Sequence, residues 1–118
     1  YSPDVVVHDC SVPEPIRGLE ALKAYYRGSH EGLPGLHFDL GNPMVDGEWM
    51  AVRWVLHGTH TGNLRGLPAS GRAVRVEGMM VDRVVDGRIV EEWVDYDTLG
   101  LFFQLGFALV APEDVPKS

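Results

Sequence analysis

The chain has 118 residues and a mass of 13.0 kDa, enough for one domain with one core, since domains most often run about 100–150 residues. A formal charge of −7 and a pI near 5.0, with no cluster of Lys and Arg, exclude nucleic acid as a partner, because neutralising phosphates takes a basic face. No apolar run approaches the roughly 20 residues of a membrane-spanning helix, and a lone cysteine, Cys10, excludes an internal disulfide and suits a reducing compartment, so a cytoplasmic protein is expected.

The chain opens at Tyr1 without a methionine. Val5-Val6-Val7-His8-Asp9 is a β-branched run that predicts a short strand. Beyond the turn residues from Ser11 to Pro15, the spacing of Ile16, Leu19, Leu22, Tyr25 and Tyr26 predicts an amphipathic helix. Gly28, Gly32 and Pro34 end it near His30. Leu36, Phe38 and Leu40 then alternate with His37 and Asp39 as in a strand, and Asp46-Gly47 marks a tight turn. Residues 48–60 form a long strand with Trp49, Ala51, Arg53, Val55 and His57 on one face and Met50, Val52, Trp54 and Leu56 on the other. Both faces are largely apolar, which predicts a sheet covered on both sides. After a Gly- and Pro-rich connection, residues 72–85 are extended, and Asp86-Gly87 turns the chain into a last strand, 88–96. A short helix over 98–105 closes one end of the sheet, and the tail from 111 to 118 is expected to fray. The order predicts one α+β domain, residues 1–110, with helix packed on a curved antiparallel sheet.

The densest chemistry lies in the last strand. Strict alternation puts Ile89, Glu91, Trp93, Asp95 and Asp97 on one face, so three carboxylates share a surface with a tryptophan. On the concave side of a curved sheet such an acid would be desolvated and its pKa raised into a useful acid/base range. On the convex side it would be a solvated acidic face with one anchoring Trp. The five histidines show no metal-ligand register, and neither a nucleophile elbow nor a phosphate-binding loop is present, so metal, nucleotide and triad chemistries are not expected. Arg75 and Glu77 share a face and, with Asp97, offer a weaker grouping that could activate water as in epoxide opening.

Four segments taken together carry a family resemblance: Gly58-Thr59-His60-Thr61-Gly62, Gly66-Leu67-Pro68-Ala69-Ser70-Gly71-Arg72, Asp86-Gly87-Arg88-Ile89-Val90-Glu91-Glu92-Trp93, and Asp97-Thr98-Leu99-Gly100-Leu101 with Gln104-Leu105-Gly106. In this order and spacing they resemble the SnoaL-like polyketide cyclases, and Ser2-Pro3-Asp4-Val5-Val6-Val7-His8-Asp9 resembles the family's first strand. The sequence departs from the family at Ala69-Ser70, where Pro-Thr is common. The resemblance implies the cone-shaped α+β fold of nuclear transport factor two and ketosteroid isomerase, a curved sheet around an apolar cavity, paired into homodimers. It also implies an intramolecular aldol closure of a polyketide ester, without metal or organic cofactor, by a general acid/base aspartate. The matching residue is Asp97.

On this reading His8 and His60 orient the substrate carbonyl, while Trp54, Met79 and Trp93 wall the cavity. The expected partners are a small hydrophobic substrate and a second copy of the chain, with no nucleic acid and no membrane. The same scaffold also serves isomerases, dehydratases, epoxide-hydrolase-type enzymes and non-catalytic binders of small apolar ligands.

Overall fold

A computed structural model describes residues 1–64 and 66–116 of the chain. The β-branched N-terminal run is strand β1 (Val6–Asp9), followed by a two-residue strand β2 (Ile16–Arg17) and helix α1 (Leu19–Gly32). Ile16, the first of the apolar positions that predicted the helix, belongs to β2 instead, pairing with Val7. Gly18 separates the two elements with φ +88°, a left-handed turn that a side chain would resist.

The edge of the sheet comes next as two short strands, β3 (His37–Leu40) and β4 (Met44–Asp46), both antiparallel to the long β5 (Trp49–Thr59). Gly41-Asn42-Pro43 interrupts them, as suits a proline confined to an edge. Strands β6 (Ala73–Val85) and β7 (Arg88–Tyr96) form the hairpin anticipated at Asp86-Gly87, where both residues take positive φ, 51° and 74°. The sheet order is β2-β1-β7-β6-β5-β3, with β4 also on β5. The sheet is mixed rather than purely antiparallel, because β1 runs parallel to β7.

Helix α2 (Thr98–Gln104) follows β7, and a 3-10 turn (Pro112–Asp114) lies within the tail expected to fray. Residues 117 and 118 of that tail fall outside the described residues. The inner face of the sheet packs in two patches. Leu22 of α1 closes on Val5 and Val7, and Leu105 joins Leu33, Leu64 and Val74 at the other end. The outer face is not covered as expected: Trp49 and Met79 stay 43% and 40% exposed there.

Two motif positions have structural explanations. A Cβ on Gly62 would run into the backbone carbonyl of Glu31, so only glycine lets this loop pass the end of α1. Gln104 donates to the Arg75 carbonyl at 2.9 Å and accepts from its N–H at 2.6 Å, standing in for a strand where β6 extends beyond β7.

Candidate active site

Between the two packed patches lies a cavity of about 330 Å³. Its walls are mostly apolar: Phe38 and Leu40 from β3, Trp54 and Leu56 from β5, Met80 from β6 and Val94 from β7. Phe38 meets Trp54 edge-on at 5.4 Å, and Trp54 lies 5.9 Å from Tyr96, forming one aromatic wall.

The β7 residues that reach this cavity are Glu92, Val94 and Tyr96, the opposite parity from the face singled out in the sequence. Glu91, Trp93 and Asp95 point outward. The alternation also breaks near the hairpin, where the register skips Val90 and Ile89 turns inward to pack on the Val5–Val7–Leu22 patch. Asp97 is not among the cavity-lining residues; it is the N-cap of α2, accepting the Gly100 N–H at 2.8 Å, and is exposed.

Of the expected substrate-binding residues, only Trp54 lines the cavity. His8 lies on the outer face, 2.7 Å from Glu91 and stacked on Trp93 at 5.2 Å. Trp93 itself leans on Trp49 there, and Met79 is exposed on the same side. His60 is 1% exposed but serves its loop, with Nδ1 2.9 Å from the Ser70 hydroxyl and 3.3 Å from the Ser70 N–H. Arg75 and Glu77 pair with each other at 3.1 Å on the outer face, away from the cavity.

A different set of polar groups reaches the interior. Glu92 is 1% exposed and sits directly across the ladder from Asp82, which is 0% exposed. Glu92 Oε2 accepts the Tyr1 hydroxyl at 2.9 Å, while Oε1 and both Asp82 oxygens are buried without a conventional donor. Two facing carboxylates are satisfied only when one of them holds a proton and donates it to the other. Burial, followed by the hydrogen bond and the charge of Asp82, pushes Glu92 up to about 8; burial also raises Asp82. Burial likewise pushes Tyr26, which lines the same cavity, up to about 12, with the Glu92 charge adding to it.

A second polar station is built on Asp9, buried at the end of β1. Its Oδ2 accepts from Tyr25 at 3.0 Å, and its Oδ1 from Tyr96 at 3.2 Å and from the Ser11 hydroxyl at 2.6 Å. Burial holds the Tyr96 hydroxyl well above the ordinary tyrosine range, so it stays a donor. Parity was the available signal for these groups. On β7 the odd positions carry acids that water solvates cheaply, whereas Glu92 is the single acid among Val94, Tyr96 and their neighbours.

A curved sheet folded over an apolar cavity, with the buried Glu92 carboxyl at its wall, defines a cone-shaped α+β protein. The family model for SnoaL-like polyketide cyclase matches residues 1–105, and the chain belongs to that family. It is 41% identical over 70 residues to the aklanonic acid methyl ester cyclase DnrD of Streptomyces peucetius, covering 58% of this chain and 47% of that one. It is 37% identical over 62 residues to the nogalonic acid methyl ester cyclase of Streptomyces nogalater, 51% of this chain and 45% of the relative. The matches thus span just under half the length of these relatives. Among solved structures, the SnoaL-like protein of Jannaschia sp. CCS1 superposes with a TM-score of 0.83 at 25% identity, over 92% of this chain and 74% of its own. TsrD of Streptomyces laurentii gives 0.77 at 30% identity, over 89% and 76%.

Proposed function

We propose that the protein is a polyketide ester cyclase that closes a ring within one substrate by intramolecular aldol condensation, with Glu92 as its general acid/base. The observation that carries the reading is the Glu92 carboxyl, 1% exposed, opposite Asp82 and at the wall of an apolar cavity. Glu92 removes a proton alpha to a carbonyl, the resulting enolate carbon attacks a second carbonyl of the same molecule, and the new alkoxide takes the proton. A group titrating near 8 can carry a proton both ways at neutral pH. Asp82 acts as a positioning residue, because a charge beside Glu92 favours its protonated form. The cavity supplies what ring closure needs most, a folded substrate held away from water.

The names of the relatives, cyclases of aklanonic and nogalonic acid methyl esters, support this substrate class. Asp97, which the resemblance implied, is in this reading a helix cap. A cytoplasmic homodimer belongs to the same proposal: Cys10 is free, and Trp49 and Met79 on the outer sheet face offer apolar surface for a second copy to cover. The test is turnover of aklanonic acid methyl ester by wild type, Glu92→Gln and Asp97→Asn. Loss of a general acid/base group lowers the rate by roughly 10²- to 10⁴-fold, so Glu92→Gln is expected to fall by that much while Asp97→Asn keeps most of its activity. The reverse pattern would return the role to Asp97.

A further inference from the structure

The outer side of the cavity's edge wall carries a separate cluster that the cyclase reading does not use. His37 and Asp39, two residues apart on β3, share the face opposite Phe38 and Leu40, and His57 lies directly across from His37 on β5. His57 Nε2 is 2.9 Å from Asp39 Oδ2, and the two imidazoles stack with centroids 4.9 Å apart. One ligand atom from each of the three residues lies within 4.8 Å of the other two.

We propose that His37, Asp39 and His57 bind a divalent transition ion of the zinc type. Two imidazoles and one carboxylate match the borderline character of such ions, whereas calcium and magnesium seek oxygen ligands. Bonds of about 2.0–2.1 Å place donor atoms roughly 3–3.5 Å from one another around the ion. Small side-chain rotations bring the three residues to that spacing, and His37 and Asp39 are exposed enough to make them. Three protein ligands on one side leave the outward positions to water. The nearest cation on the ladder is Arg75, across from His57 on β6, and its guanidinium is engaged by Glu77 at 3.1 Å. Arg53 also lines the groove beside Asp39, so the two arginines and the two carboxylates Asp39 and Glu77 sum to no net charge around the cluster.

The ion would tie edge strand β3 to β5 from outside. Phe38 and Leu40, on the other face of β3, form part of the cavity wall, so the tie stiffens that wall.

The test is calorimetric titration of the chelator-treated chain with zinc chloride at pH 7.5, with thermal unfolding alongside. The expected result is one equivalent bound per chain and a rise in Tm, with affinity reduced at least tenfold in each of His37→Asn, Asp39→Asn and His57→Asn. His8→Gln, which removes the half-buried pair of His8 with Glu91 on the same outer face, is expected to bind as wild type does. Absence of a one-equivalent site, or an affinity insensitive to the three substitutions, would overturn the proposal, as would an equal loss in His8→Gln.

Discussion

Glu91 and Glu92 are neighbours in the chain and opposites in environment. Glu91 reaches outward to His8 at 2.7 Å, where water shares its charge, while Glu92 is turned into the interior against Asp82. The consequence for stability follows from the direction of the shift. A carboxyl raised from 4.5 to about 8 holds its proton in the folded state after the unfolded chain has lost it, so the contribution of Glu92 to stability is full below 4.5 and is lost as pH rises through 8. Urea unfolding at pH 5 and pH 8 is expected to show wild type weakening across that interval by roughly a few kcal/mol, with Glu92→Gln much flatter. Equal slopes in the two proteins would contradict the burial of an ionisable Glu92. The acid-rich strand was legible in the sequence, but the face was not. Alternation sorts residues into two sets without saying which set is inside, and Asp82 becomes visible only when the ladder brings it opposite Glu92.

At the scale of elements, the hairpin turn at Asp86-Gly87 and the strand over 88–96 could be read directly, because turn chemistry and β-branched alternation are local. The start of α1 could not, since Ile16 satisfies the helical spacing yet pairs with Val7 in the sheet. Parallel pairing of β1 with β7 was equally hidden, being a contact between the two ends of the chain. Helix α2 draws its position from two side chains. Asp97 caps it, and Asp97→Ala is expected to cost about 1 kcal/mol, whereas Asp97→Asn, which keeps an acceptor oxygen, stays within a few tenths of wild type in urea unfolding. Gln104 pairs with both backbone groups of Arg75, and Gln104→Ala is expected to lose roughly 1 kcal/mol by the same measurement. A neutral result for both alanine variants would mean that the helix is held by Leu101 and Leu105 alone.

At the scale of the molecule, the fold leaves space where a core would otherwise close. Helix α1 runs across the inner face from Leu22 in one apolar patch to Leu33 in the other, where Leu101 of α2 also packs, and the cavity of about 330 Å³ remains between the two patches. Its aromatic wall was only partly legible. Trp54 was named from the sequence, while Phe38 and Tyr96 depend on the curvature that brings the β3 edge over toward β7. Met80→Trp places an indole into this space and is expected to abolish binding of an apolar fluorescent probe while leaving Tm within a few degrees of wild type. Undiminished probe binding would place the ligand site elsewhere. A carboxyl poised near neutrality at the wall of that cavity is read out by a carbon-detected NMR titration of the Glu92 side chain, assigned by comparison with Glu92→Gln. A midpoint near 8 is the expected result. A midpoint near the ordinary glutamate value of about 4.3 would contradict the account, since Glu92 would then be a solvated anion with no proton to carry.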